Sequence, residues 1–267
     1  MLITPTFRYL AALCTVCVLL GHWIPNQANF QLIWRLGFGR MSPLTTLTSP
    51  NPKGGMHTVD ILPNVLRANV AQPILSTIYF SYNGMFTAMS AAMEWESYAR
   101  HRKGLRVSDV PEGNQRTTYF LQLPYRMAIP LMITSGLLHW LVSQSLFFVA
   151  IDFREYDAKE GLWLSSTSGF GCGFSILAII CTVMVGAVML LALIITASLK
   201  FKTNIPVVAS CSAAITAACH VPAEESGRET STSKIRWGVT GYNNIMIGHC
   251  SFSKFRVSAP RHGRGYE

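Results

Sequence analysis

The chain has 267 residues, of which 50% are hydrophobic and 13% charged, and its formal net charge at pH 7 is +9. A positive mean hydropathy with this basic balance is unusual for a soluble protein and typical of a membrane protein with basic loops. The composition argues against nucleic-acid binding, because no stripe of Lys and Arg interleaved with aromatic residues lies in a soluble module. The seven cysteines are scattered, which excludes a secreted disulfide scaffold.

Two apolar runs in the first part of the chain predict membrane-spanning helices. Residues 9–24 follow Arg8 and predict a short span or an uncleaved anchor, because no small-x-small cleavage pattern follows the run. Residues 73–93 predict a second span, within which Asn83 favours an interhelical hydrogen bond over a ligand contact. Small residues recur at every fourth position on one face of the second span and indicate close helix packing: Gly84, Ala88 and Ala92.

The third predicted span, 127–151, contains no charged residue and exceeds the roughly 20 residues that a helix needs to cross a bilayer. Ser135, His139 and Ser143 recur at four-residue spacing and therefore share one helix face. A polar stripe in a membrane helix faces other helices or a water-filled cavity. Two interpretations stay open, a packing role for a hydrogen-bonded neutral imidazole and a functional role for a titratable group.

The fourth predicted span, 174–199, is also uncharged, and basic residues follow it. A second small-residue face for helix packing lies on this span: Ala178, Thr182 and Gly186. Basic residues are concentrated between spans two and three, in the 94–126 loop, which the positive-inside rule places in the cytoplasm with the C-terminal tail. The cluster at 100–106 could also contact anionic lipid headgroups.

The tail, 204–267, predicts a short helix within 205–222 and a β-hairpin from runs 235–242 and 245–252. Its cysteines and histidines supply soft ligands that suit zinc, although their spacing matches no standard zinc finger and packing is the competing interpretation: Cys211, Cys219, His220, His249 and Cys250. No Walker, H-E-x-x-H or G-x-S-x-G motif occurs, so the sequence gives little indication of an enzyme.

Several stretches carry a resemblance to a known family: IWRLGFG (33–39), YNGMFTAM (82–89), EWESYARHRKGLRVS (94–108), QRTTYFLQLPYRMAIPLMITSGLLHWLVSQS (115–145), SCSAAITAACH (210–220), RWGV (236–239) and GHCSF (248–252). Together they resemble a group of fungal multi-pass integral membrane proteins whose N-terminal half carries a domain of unknown function. The resemblance implies that the chain corresponds to the C-terminal membrane part of a longer protein, or is a truncated member. It implies no activity and no catalytic residues.

These observations predict an all-α membrane protein with about four transmembrane helices in 1–203 and a small cytoplasmic tail in 204–267. We expect a structural or interaction component of an unspecified membrane. Its partners would be the lipid bilayer and other membrane helices, or a missing N-terminal half, and not nucleic acid. The alternative is a transport or channel subunit that uses the intramembrane polar residues Asn83, Ser135, His139 and Ser143. No cofactor is expected, apart from zinc in the tail.

Overall fold

The computed structural model describes residues 30–50, 58–157, 162–200, 202–208, 211–220, 222, 224–243, 246–261 and 263–266. The chain divides into two compact units. The first unit comprises the described residues up to Asn83 and Ile129–Leu193, and the second comprises those in Gly84–Ala128 and Ile194–Glu267.

The elements follow one another as a mixture of helices and strands. The helices are α1 (Phe30–Leu36), α2 (Thr58–Asn69), α3 (Ala71–Arg100), α4 (Tyr125–Ser145), α5 (Ile176–Ala197), α6 (Ser212–Ala218) and α7 (Gly227–Thr232), with a 3-10 turn at Pro43–Thr45. The strands are β1 (Thr46–Pro50), β2 (Lys103–Gly104), β3 (Arg106–Val107), β4 (Arg116–Thr117), β5 (Leu146–Asp157), β6 (Leu162–Phe174), β7 (Lys234–Tyr242) and β8 (Gly248–Ser253).

The fold is mixed α/β, so the prediction of an all-α protein with four spans is wrong. Strands among the described residues form three sheets, and two helices of that part of the chain, α4 and α5, are long and apolar enough to cross a membrane. The predicted span 9–24 lies outside the described residues. The predicted span 73–93 lies inside α3, whose Ser, Thr, Tyr and Asn side chains interrupt its apolar residues and which is not one of those two helices.

The predicted span 127–151 is not one continuous helix, because α4 ends at Ser145 and Leu146 begins β5. The residues that follow Ser145 are aromatic and β-branched, which favours a strand once a partner is available. The glycine-rich end of β6 supplies that partner, with Phe147 opposite Gly173. A Cβ on Gly173 would lie 2.4 Å from the ring of Phe147, so a side chain there would require the ring to shift. Uncharged residues alone do not distinguish a helix from such a strand.

The first unit combines an antiparallel sheet with helices. Strands β1, β6 and β5 lie in that order, and α2 packs against β5 and β6. The helix cluster is centred on buried Leu75 of α3 with Leu138 and Val142 of α4. Val185 and Met189 of α5 pack against these three residues. Apolar side chains from three helices therefore hold this unit together.

The second unit is built around a small sheet in which β7 lies between β2 and β8. The segments predicted to form a hairpin pair antiparallel as β7 and β8, and the helix in the tail is α6. One apolar cluster fills the unit: Tyr98, Ile205, Ala218, Ile235, Trp237 and Phe252. The rings of Trp95 and Tyr98 each form a T-shaped pair with the ring of Phe252, with centroids 5.2 and 5.6 Å apart. Residues from 84–128 thus share a core with the tail.

Candidate functional site

The centre of the polar stripe, His139 of α4, is hydrogen-bonded to Gln72 of α3. Its Nδ1 lies 2.6 Å from Gln72 Oε1, and Gln72 Nε2 donates to the backbone oxygen of His139 over 3.2 Å. Because the amide oxygen only accepts, Nδ1 carries the proton in this pair. The Gln72 amide is therefore joined to His139 by two hydrogen bonds, one to the imidazole Nδ1 and one to the backbone oxygen.

None of the other three predicted intramembrane polar residues is buried. Ser143 is exposed and donates to the backbone oxygen of Trp140 over 2.7 Å, while Ser135 and Asn83 are half-buried. Gln72, the partner of His139, was not among the residues predicted from the sequence. The predicted span began at Pro73, whereas the helix begins at Ala71, so Gln72 fell one residue outside the predicted boundary.

The two small-residue faces differ in burial. On α5, Ala178, Thr182 and Gly186 are all buried, and Thr182 Oγ1 lies 3.1 Å from Ser145 Oγ. On α3, Gly84 and Ala88 are exposed, and Ala92 is half-buried. A role of either face in helix packing stays a prediction.

The five tail residues proposed for zinc do not form a metal-binding group. Cys211, Cys219 and His220 lie at and beside the ends of α6 and are exposed, whereas His249 and Cys250 are half-buried on β8. In the described part of the chain, no group of three or more His, Cys, Asp or Glu residues is placed to hold a metal ion. Desolvation raises the pKa of the Cys250 thiol, which disfavours the thiolate that zinc binds. The arrangement does not fit a zinc site.

Both candidate membrane helices present one apolar face outward. On α5, Met184, Val188 and Leu191 are 55%, 66% and 57% exposed, and Ile180 completes this face. On α4, the exposed residues Ile129, Ile133, Leu137 and Trp140 recur at the same helical spacing. The opposite faces of both helices carry their buried residues. Each helix therefore packs on one side and exposes apolar side chains on the other.

Comparison with known families gives a match over most of the sequence. The family model described as Domain of unknown function (DUF8419) matches residues 4–247. The chain belongs to this family. The domain of unknown function thus lies in the chain itself, and the match shows neither a fungal origin nor a multi-pass topology. No curated protein and no solved structure matches the DUF8419 chain.

In this DUF8419 chain, the basic 94–126 segment is an ordered part of the second unit. Arg106 Nε donates to both oxygens of Glu94 over 2.8 and 2.9 Å, and Arg116 Nη2 donates to Glu94 Oε1 over 3.0 Å. Tyr119 accepts a hydrogen bond from Arg106 and lies under its guanidinium, 3.8 Å from ring centroid to Cζ. The sequence did not predict these ion pairs, because loop closure brings together residues that are distant along the chain.

Proposed function

We propose that the DUF8419 chain is a structural or interaction component anchored in a membrane by α4 and α5. The observation that carries the proposal is the outward apolar face of α5, formed by Ile180, Met184, Val188 and Leu191. A continuous apolar helix face of this length is unfavourable in water and marks contact with lipid or protein. Neither helix has an Asp, Glu, Lys or Arg residue between its first and last turn that would make an aqueous face.

The hydroxyl groups of these helices support the proposal, because hydrocarbon offers them no hydrogen-bond partner. Thr134 donates to the backbone oxygen of Pro130, and Ser145 to that of Leu141, each over 2.7 Å. Thr182 donates to the backbone oxygen of Ala178 over 2.8 Å. Each of these three hydroxyl groups is therefore satisfied inside its own helix, one turn back along the chain.

The flanking charges support an orientation for the two helices. Arg126 lies at the start of α4, and Lys200 and Lys202 follow α5. Basic residues therefore flank the N-terminal end of α4 and the C-terminal end of α5. By the positive-inside rule, these ends and the segments beyond them lie on the cytoplasmic side. The strands β5 and β6 then lie on the opposite side. The hydrogen bonds between His139 and Gln72 favour packing over transport.

Alkaline carbonate extraction of membranes from cells that express the full chain tests the anchoring. We expect the chain to stay with the membrane in carbonate and to be released by detergent. A chain released by carbonate alone would overturn the proposal.

Cysteine labelling in a cysteine-free background tests the orientation. Lys234 and Ala150 are both exposed, so a cysteine at either position is accessible to reagent. An impermeant maleimide should label Ala150→Cys in intact cells and label Lys234→Cys only after permeabilisation. Labelling of Lys234→Cys in intact cells would mean that the orientation is the opposite of the proposed one.

A further inference from the structure

We infer that the second unit binds one anionic phospholipid, in a site made of an apolar groove and an adjoining basic pocket. The inference rests on the proposed membrane location of α5 and extends it to a specific lipid class. The two cavities share residues, and their chemical character changes from one end of the site to the other. That change matches the order of an acyl chain and a charged headgroup.

The apolar groove has a volume of about 590 Å³, within the roughly 300–1,000 Å³ of typical small-molecule sites. Its apolar lining comes from α3 and from the chain that follows α5: Ala88, Met89, Ala92, Met93, Leu199 and Val207. Alanines leave room along the groove, and the two unbranched methionines adapt to a flexible chain. This lining suits a hydrocarbon chain rather than a rigid polar ligand.

The basic pocket has a volume of about 360 Å³ and shares Arg100 and Lys202 with the groove. Arg236, Thr203 and Asn204 also line it, and its lining includes no acidic residue. Arg236 uses Nε to donate to the backbone oxygen of Ala99 over 3.0 Å, which directs its guanidinium from a fixed point. Three cations and two neutral polar side chains thus surround the space next to the groove.

The single carboxylate in the groove, Glu96, is already occupied by the protein. It is 5% exposed, and its Oε2 accepts from Arg100 Nη2 over 2.8 Å. Its Oε1 accepts from the backbone N–H of Lys202 over 2.6 Å. In the described part of the chain, the ammonium groups of Lys200 and Lys202 have no hydrogen-bond or ion-pair partner, and both residues are exposed. The site therefore has two uncompensated positive charges.

The order of these features along α3 selects a lipid. Ala88, Ala92, Glu96 and Arg100 occupy successive turns of one face, so the apolar end and the charged end lie roughly 18 Å apart at 1.5 Å per residue. Lys200 and Lys202 come directly after the uncharged α5, where a membrane helix would reach the headgroup layer. An amphiphile with an anionic head and a hydrocarbon tail is complementary to both ends, and phospholipids of this kind are present at that depth.

Lipid binding is measured by native mass spectrometry and thermal unfolding of the purified full chain in detergent. Dioleoyl phosphatidylglycerol should bind and raise the unfolding temperature, whereas dioleoyl phosphatidylcholine with the same tails should bind at least about tenfold more weakly. The double variant K200Q/K202Q should lose about tenfold in phosphatidylglycerol affinity. The matched variant K234Q/R256Q removes two exposed charges outside the site and should bind as the wild type does.

Substitution A88F tests the apolar half, because an aromatic ring would occupy the groove at an exposed position where no folding contact is lost. A88F should weaken the binding of dioleoyl phosphatidylglycerol without altering the unfolding temperature in the absence of lipid. Inorganic phosphate alone should give no shift. Equal binding of the two dioleoyl lipids, equal loss in both double variants, or a full effect of inorganic phosphate would each overturn the inference. Displacement of the lipid by an acidic amphipathic peptide, with tighter binding of that peptide, would assign the groove to a protein partner instead.

The hypothesis of a lipid site and the hypothesis of a membrane anchor can be disproved independently. The variant K200Q/K202Q should resist carbonate extraction as the wild type does, since α4 and α5 are unchanged. If the wild type were released by carbonate, the anchor would be wrong, and water-soluble dioctanoyl phosphatidylglycerol would still test the site. Retention in the membrane without any preference for phosphatidylglycerol would overturn the lipid site alone.

Discussion

The two units of the chain differ in some of the side chains that they bury and expose. In the first unit, α5 exposes Met184 and Val188 while it buries the small polar residue Thr182. In the second unit, the aromatic residues Trp237 and Phe252 are buried. Some charges of this second unit pair with each other beside the core, as Glu94 does with Arg106 and Arg116.

Under the proposed anchoring, the two units face different solvents. A protein surface in water places charges outward and gathers large apolar residues inside, as the second unit does with Trp237 and Phe252. A surface in lipid keeps apolar side chains outward and returns polar groups to the backbone or to each other. The first unit follows this rule at Thr182 and at the His139–Gln72 pair. Single substitutions can test whether the first unit contacts lipid and the second contacts water.

The largest effect should come from a charge on the outward face of α5. Val188→Arg places a guanidinium near the middle of the helix, which costs about 2.5–3.5 kcal/mol of insertion free energy in a bilayer. Val110→Arg makes the same change on a residue of the second unit that is 79% exposed. Carbonate-resistant protein should fall strongly for Val188→Arg and stay unchanged for Val110→Arg. If both variants remained in the membrane equally, the outward face of α5 would not contact lipid.

The next largest effect should come from the ion pairs of the second unit. Glu94→Gln removes the countercharge of Arg106 and Arg116, and we expect it to lower the free energy of unfolding by about 1–2 kcal/mol. Partial solvent exposure of these side chains keeps the cost below that of a fully buried pair. Urea unfolding followed by tryptophan fluorescence measures the change, because Trp237 lies in the core of this unit.

Glu112→Gln is the control for this measurement, since Glu112 is an exposed carboxylate in the same segment. Its substitution should change the free energy of unfolding by less than about 0.5 kcal/mol. An equal effect of the two substitutions would mean that Glu94 contributes only general charge and not specific bonds.

Hydropathy predicted the location of α4 and α5 in the chain, because long uncharged apolar runs are a strong local signal. It failed at Leu146, where the same apolar run continues as a strand. The reason is tertiary, since Phe147 needs the open backbone of Gly173, and no property of 146–151 alone reveals that partner. Gly104 is a second residue whose role depends on a partner elsewhere in the chain, because a Cβ there would lie 1.7 Å from the backbone oxygen of Asn114.

The candidate sites were less predictable than the helices. His139 stood out because an imidazole is rare in an apolar run, but its partner Gln72 lies 67 positions away along the chain. The two cavities of the lipid site combine residues of α3, of the segment after α5, and of β7. Long-range loop closure assembles them, and local patterns carry no record of it.

A pH-dependent effect is expected at Glu225 in the second unit. Burial raises the pKa of its carboxyl, but hydrogen bonds from Ser253, Thr230 and the backbone of Lys254 outweigh burial and hold the pKa below its ordinary value. A lowered folded-state pKa adds stability that is present above the unfolded-state pKa of about 4.3 and is lost as pH falls through the folded value.

Ser253→Ala should therefore lower the free energy of unfolding by about 1 kcal/mol at pH 7 and by less in acid, where Glu225 is protonated in both forms. Urea unfolding at several pH values measures the difference. Ser226→Ala is the control, because the Ser226 hydroxyl makes no capping hydrogen bond. A Ser253→Ala deficit that stays constant through the acid range would show that the hydroxyl does not act through the Glu225 carboxylate.

The smallest effect concerns the polar pair of the first unit. If α4 packs in lipid, the bonds between His139 and Gln72 should contribute modestly, as intramembrane hydrogen bonds do. Gln72→Leu and His139→Leu should each lower stability by roughly 1 kcal/mol, with a coupling of about 0.6 and at most 1.7 kcal/mol in the double variant. Thermal unfolding in detergent measures the cycle. Gln72→Leu with Ser143→Ala is the uncoupled control, because the Ser143 hydroxyl bonds only within its own helix.

His139→Gln separates packing from titration at this position. An amide at position 139 keeps a donor that reaches Gln72 Oε1, so a packing role predicts a near-neutral effect on stability. An imidazole can bind and release a proton, whereas an amide and an alkyl group cannot, so a proton or ion relay predicts a stable protein that loses function in both the Gln and the Leu variants. Zero coupling between His139 and Gln72, together with such a loss, would return the polar stripe to the transport alternative. Measurable coupling with a functional Gln variant would leave the pair as the way an imidazole is held in an apolar helix bundle, satisfied by its neighbour rather than by water.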